Sequence, residues 1–429
     1  MLINGNNRMM QTTSHRVVLP FYFYAALAFL AGTVLLFDAV PVFSGHFFHP
    51  KLLAVTHCMA LGWGTMMIMG AAHQLVPVLI EGKLYSNLAA YLSFGLAALG
   101  IPLLIYGFYT FSLGHTAQLG GILIVASIVV YMINLAMSMA QSNNENVHAV
   151  FVFTATLWLL ATASLGLALL FNFTTLFMLK DSLGYLSLHA HMGIVGWFLL
   201  MIMGVGSKLI PMFLISKYTN TRLLWAIFIL INLALLSFVF LNLFIAPGIL
   251  HLLPLLAGGS AVALFGYYCF ASAKDRIRKK VDEQMKLSLL SVLLLLIPMV
   301  LLLLVVGSLF VYQKQQNTLV LAYGFLVFFG WISSIILGMS FKTLPFIVWN
   351  KVYHQQVGLG TTPNPKDLFN STLFRIMALS YVPGILIFTS GILFRLPVLL
   401  QIGAAGLFIS ALFYNWNILK ILNHKAVKA

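Results

Sequence analysis

Charge is what this sequence has least of: 7% of its 429 residues are Asp, Glu, Lys or Arg, and the acids number only 8. A chain so poor in charge cannot clothe itself in a water-facing surface, which excludes a soluble enzyme or a large extramembrane catalytic head. Cysteine is nearly missing as well. Cys58 and Cys269 both lie in apolar sequence, and no Cys-x-x-Cys-His occurs, so neither a disulfide framework nor covalent heme attachment is available. Alternation with period two is lacking: the run 289–310 is apolar on every side, which excludes an outer-membrane barrel.

What fills the chain instead is hydrophobic residues, 61% of the total, with a mean hydropathy of +1.01. That composition defines an all-α polytopic membrane protein, a single integral membrane domain over 1–429. Spans of about 20 residues plus their share of loop fit about twelve times. Apolar windows between polar or Pro/Gly turns place them near 17–40, 52–80, 86–109, 116–140, 148–171, 184–215, 222–246, 250–272, 287–311, 317–349, 371–393 and 397–421. The first run follows Arg8 and Arg16, is too long for a signal-peptide core, and reads as a span.

The net charge of +15 reports topology and not nucleic-acid binding, for which nothing else speaks. With both termini on the cytoplasmic side of a bacterial-type inner membrane, 17 basic residues fall inside, among them Arg8, Arg278 and Lys428, against four outside: Lys51, Lys180, Lys314 and Arg395. Lys208 and Lys342 lie near the inner ends of their spans, where a long side chain can snorkel to the interface. The interior acids are few: Asp38 near an outer end, Glu81 and Glu145 near the inner face, too thin a relay for efficient proton pumping.

The chain also aligns with itself. Gly62-Trp63, Gly196-Trp197 and Gly330-Trp331 recur at a spacing of 134 residues, as do Gly70, Gly204 and Gly338, and Pro77, Pro211 and Pro345. Each copy lies on the second helix of a four-helix unit, giving repeats at about 17–140, 148–272 and 287–421. Units of even span number share one orientation, so three arcs about a pseudo-threefold axis are expected.

A membrane interior penalises ionisable groups, and neutral imidazole is a common metal ligand. His57 and His191 hold the same repeat position near the outer ends of helices 2 and 6. His189, two residues before His191, projects from nearly the opposite face, so one helix can serve two neighbouring pockets. The third copy has Tyr323 and Phe325 there. Small residues nearby, Gly62, Gly64, Gly193 and Gly196, leave room for a flat macrocycle. In the loop before helix 2, His46 and His49 have the spacing of a copper or zinc pair, though two ligands make half a site.

His189-Ala190-His191 followed by Met203-Gly204 and Lys208-Leu209-Ile210-Pro211 resembles the heme-ligating helix of heme-copper oxidase and nitric oxide reductase catalytic subunits (subunit I). His57 with Gly70 and the stretch from Gln74 to Ile80 resembles their second helix. A further resemblance is to the NnrS family of twelve-helix heme membrane proteins. The resemblance implies one or two non-covalent hemes, and an electron donor, protein or quinol. It makes His57 and His191 candidate axial ligands of a low-spin heme, and His189 the candidate proximal ligand of a second. Because His-x-His falls here in the second arc and not the third, an alternative sets His57 across from His189, with His191 facing the third arc. Helix 7 has no histidine and no His-His dipeptide occurs, so a complete heme-copper centre is not expected. The function expected is electron transfer, or the sensing or reduction of oxygen or nitric oxide. The alternatives are a twelve-helix secondary transporter and a heme-free copper-handling protein using His46, His49 and the Met66, Met67, Met69 cluster.

Overall fold

A computed structural model describes residues 13–142, 146–245, 248–277, 279–313, 316–356 and 362–426. Arg8, Glu145, Arg278, Lys314 and Lys428, used above to weigh topology, lie outside them. Among the described residues twelve helices are long and apolar enough to cross a membrane: α1 (His15–Val42), α2 (Pro50–Leu79), α3 (Asn87–Tyr109), α4 (His115–Ala140), α5 (Val147–Thr174), α6 (Ser182–Leu214), α7 (Thr221–Phe244), α8 (Ile249–Lys274), α9 (Glu283–Val311), α10 (Asn317–Gln356), α11 (Ser371–Phe394) and α12 (Pro397–Leu422). The fold is an all-helical, multi-pass membrane protein.

Burial sorts these helices into two kinds. In α2, α6 and α10, 72%, 67% and 78% of the most apolar window is enclosed by other helices, against 44% or less elsewhere. These three form the centre, and the other nine present apolar faces such as Leu88, Leu99, Leu379 and Trp416 to the surroundings. The bundle closes on itself where α12 meets α1: the Asn415 Nδ2 amide donates to the carbonyl of Ala26, 2.8 Å away.

Each central helix departs from α geometry at a corresponding place. The π-helical stretches Cys58–Thr65, Met192–Leu199 and Leu326–Ile332 begin 134 residues apart. A π turn widens the helix and shifts the face that later residues present, a device common at functional sites. The Gly-Trp pairs lie within or at the end of these stretches, and all three indoles are buried. Trp63 Nε1 donates to Ser333 Oγ at 3.0 Å, joining α2 to α10, and Trp197 Nε1 donates to Thr65 Oγ1 at 3.0 Å, joining α6 to α2. The hydroxyl position, 65 and 333, holds Leu199 in the second copy. Leu199 and Trp331 line a cavity of about 10 Å³ that α6 and α10 share with Phe265 of α8 and Ser291 of α9.

The repeated glycines explain how the central helices are approached. A Cβ at Gly70 would stand 2.5 Å from Phe21 Cβ of α1, one at Gly204 would meet Phe151 Cβ of α5, and one at Gly338 would meet Ser288 Oγ of α9. Each glycine admits a neighbouring helix, α1, α5 or α9. At the opposite end from His57, Lys342 forms an ion pair with Asp282, with Phe213 5.7 Å from its ammonium.

Replacing Gly204 by Ala should destabilise the protein in detergent by about 1–3 kcal/mol, the usual cost of overpacking. Gly95→Ala, where nothing lies within 4 Å of the added atom, should stay within about 0.5 kcal/mol of wild type in the same thermal unfolding assay.

Candidate functional site: paired rings between the central helices

The last α turn before the π stretch of α2 carries His57. Its Nδ1 lies 2.8 Å from the Leu53 carbonyl one turn earlier. A carbonyl only accepts, so Nδ1 carries the proton and Nε2 keeps its lone pair. The same bond recurs at the equivalent place in α6, where His191 Nδ1 is 2.8 Å from the Ser187 carbonyl. His189 reaches the same tautomer by another route: its Nδ1 donates across to α5, to the Thr162 carbonyl at 3.1 Å. Among the described residues no Nε2 of these three makes a hydrogen bond to protein. A basic nitrogen whose ring is fixed from behind by a carbonyl is the form in which histidine binds a metal.

The rings meet in pairs. His57 faces His189 with ring centres 6.3 Å apart and planes inclined by 19°. Two metal–nitrogen bonds of about 2 Å each, plus about 1 Å from each nitrogen to its ring centre, give a separation of about 6 Å for imidazoles on opposite sides of one ion. On the other flank of α6, His191 faces Tyr323 of α10, with centres 5.9 Å apart and planes inclined by 20°. Of the two arrangements offered by the sequence, the second has His57 across from His189, as found here, and His191 is turned away from both toward Tyr323 of α10.

Packing holds the first pair in place. Phe108 of α3 lies 4.3 Å from the His57 ring, and a Cβ on Gly166 would stand 2.7 Å from His189 Cε1, so that glycine leaves the space the imidazole occupies. Phe238 of α7 flanks His191 at 5.3 Å. At the third junction, Phe325, in the position of His57 and His191, is stacked on Phe388 at 4.4 Å and on Phe329 at 5.1 Å. That junction is filled with hydrocarbon.

The remaining histidines are placed differently. His46 Nδ1 accepts the amide of Phe48 at 3.1 Å, and His49 Nδ1 caps α2 by accepting the amide of Lys51 at 3.3 Å. Among the described residues no group of three His, Cys, Asp or Glu side chains gathers there or elsewhere. His148 bonds Ser207 Oγ at 2.9 Å, and His424 bonds the Tyr353 hydroxyl at 2.9 Å. His73 is fully enclosed, between the rings of Phe21 and Tyr131. Sequence reasoning missed the part played by the Thr162 carbonyl and by Gly166, because a backbone acceptor or a missing side chain leaves no chemical signature in a sequence.

The class defined by this architecture is a polytopic helical membrane protein with histidines between its three central helices. No protein-family profile matches the sequence, and no curated protein matches it. Its fold is similar to that of a chain in the cryo-EM structure of a heme-copper terminal oxidase dimer, with a TM-score of 0.72 and 11% identity over 96% of this chain and 85% of that one. The subunit I-like fold read from His-x-His, the glycines and the prolines is the fold observed.

Substituting both His46 and His49 by Ala should leave the metal content of the purified protein unchanged, measured by elemental analysis. The cost should be about 1 kcal/mol of stability from the lost cap.

Proposed function

We propose that this chain is a heme-binding integral membrane protein that transfers electrons or senses or reduces oxygen or nitric oxide, without a complete heme-copper centre. The observation that carries the reading is the His57–His189 pair, near-parallel at 6.3 Å, each ring with Nδ1 committed to a carbonyl and Nε2 left basic. The donors present fit a heme, two neutral imidazoles from different helices beside apolar rings such as Phe108, whereas Gly62, Gly64, Gly193 and Gly196 do not leave the room expected of them and are closed by Ala28, Phe198, Thr162 and Trp158. His57 and His189 would hold it, and His191 would hold a second on the other side of α6.

A heme so held would supply one-electron redox chemistry. The protein's own part is to orient and exclude. The Leu53 and Thr162 carbonyls lock each ring by accepting its Nδ1–H, which raises the basicity of the opposite nitrogen. Phe108 and the enclosing helices keep water from the pair. We also infer three four-helix units in arcs, with both termini cytoplasmic in a bacterial-type inner membrane, so that the histidine end faces outward. A protein or quinol donor would approach there, where Lys51 pairs with Asp38 at 2.9 Å and Tyr109 donates to the same carboxylate at 3.0 Å.

Purified in mild detergent after heme-supplemented expression, the protein should show the reduced-minus-oxidised bands of a six-coordinate low-spin heme. His57→Ala and His189→Ala should each abolish that signal or convert it to high spin, while His424→Ala leaves it intact. Gly166→Val, which forces the His189 ring aside, should weaken heme retention by about 10–100-fold. A wild-type protein without any heme band overturns the reading.

A further inference from the structure

The outer helices do not meet one another equally around the bundle. α4 lies closely along α5, and α12 closely along α1, whereas α8 and α9, though consecutive, make no comparable contact. α8 is also the least enclosed span, with 22% of its most apolar window buried. A Cβ at Gly259 of α8 would come 3.8 Å from the flexible end of Met299 of α9. Gly266, seven residues on and so on the same face of the helix, would meet nothing within 4 Å. Nearby, Phe265 of α8 and Leu295 of α9 share the walls of the cavity of about 10 Å³, so the seam is under-packed there as well. Phe270 and Leu296 on these two helices are exposed. An apolar opening lies between them.

The chain that joins α8 to α9 is where positive charge gathers: 6 of the 23 basic residues fall between 274 and 286. Lys274, Arg276, Lys279, Lys280 and Lys286 are exposed, and among the described residues none of the five is in an ion pair. The acids beside them are engaged elsewhere. Asp275 accepts from Ser216 Oγ at 3.1 Å and from the Lys217 amide at 3.0 Å, Asp282 pairs with Lys342, and Glu283 pairs with Arg375. The Ile277 amide donates to the Ile215 carbonyl at 3.1 Å, which ties the connection to the end of α6 and anchors its charges to the bundle. The connection 134 residues earlier, 141–146 between the closely packed α4 and α5, contains no Lys or Arg. Cations collect where consecutive helices stand apart and are missing where they meet.

We propose that the opening between α8 and α9 binds an anionic phospholipid, its phosphate held by Arg276, Lys279 and Lys280 and one acyl chain laid along Gly266. A phosphodiester is the acceptor that ammonium and guanidinium groups at a membrane edge take, and the guanidinium fork can hold two of its oxygens. From Lys274 to Gly266 the helix rises about 12 Å, within the roughly 15 Å that the hydrocarbon of one leaflet occupies. A chain hanging from a headgroup at the loop therefore reaches the opening. Charge selects the lipid class, because a phosphatidylcholine headgroup brings its own cation against the lysines. The lipid joins α8 to α9 where protein contacts do not, and the site stands independently of any heme.

The test uses the full chain, reconstituted into discs of phosphatidylglycerol or of phosphatidylcholine and returned to mild detergent, with bound lipid read by native mass spectrometry. Wild type should keep phosphatidylglycerol through washing and lose phosphatidylcholine. The triple variant Arg276→Gln, Lys279→Gln, Lys280→Gln should bind phosphatidylglycerol roughly hundredfold more weakly. Lys351→Gln combined with Lys366→Gln and Lys420→Gln, an equal change of charge at exposed positions elsewhere, should match wild type. Gly266→Leu, which fills the opening and leaves the charge unaltered, should weaken binding by about tenfold. Ala263→Leu, one turn away on the same side of α8, makes the same test should Gly266→Leu not fold. The proposal is overturned if phosphatidylcholine is kept as firmly as phosphatidylglycerol, or if the triple variant binds like wild type. It is equally overturned if the filling variants hold lipid normally while the triple variant releases it, the result expected of a charged surface without a groove.

Discussion

A neutral imidazole brought into a low-dielectric interior has one proton to donate and one lone pair to satisfy, and everything about this protein's centre follows from how those two demands are divided. His57, His189 and His191 each spend the proton on a backbone carbonyl and leave the lone pair without a protein donor among the described residues. Three at one depth, on facing helices, form a site that is incomplete as protein alone. His73 differs: it is fully buried where those three are only partly so, and its flanking rings are Phe21 and Tyr131.

The helices that carry these rings are shaped for the purpose. The π stretch starts at the residue after His57, after His191 and after Phe325. It separates two jobs on one helix: above it the chain presents a ring to a neighbour, and below it the glycine and proline end packs against its own first helix. At the far end the charges are arranged for an interface, with Lys342 held by Asp282 and Arg375 reaching Glu283 at 3.3 Å. Such pairs anchor depth more than they stabilise, since partly exposed ion pairs contribute little.

Much of this was legible beforehand, and the reasons differ by feature. Twelve spans could be read because a bilayer demands long apolar runs whatever their partners. The central helices could be read because Gly-Trp, Gly and Pro recur at one interval, and Gly70 and Gly204 turn out to be where Phe21 and Phe151 press closest. The opposed directions of His189 and His191 followed from helical rotation. What rotation could not decide was which neighbour each would meet, since His57 could pair with either until the order of helices around the centre was known. The π stretches were hidden as well, because hydrophobic periodicity is blurred in helices apolar all round.

The indoles carry one last implication, for motion. Two of the three seams between central helices are pinned by a buried indole-to-hydroxyl bond, Trp63 to Ser333 and Trp197 to Thr65, while at the third Leu199 stands in place of the hydroxyl residue and no such bond is made by Trp331 among the described residues. A missing bond of about 1 kcal/mol makes transient parting of α6 from α10 roughly fivefold more frequent than at either pinned seam. Breathing is therefore uneven around the bundle. The weakest stave of this barrel is the one beside His191, and a single leucine sets where it gives.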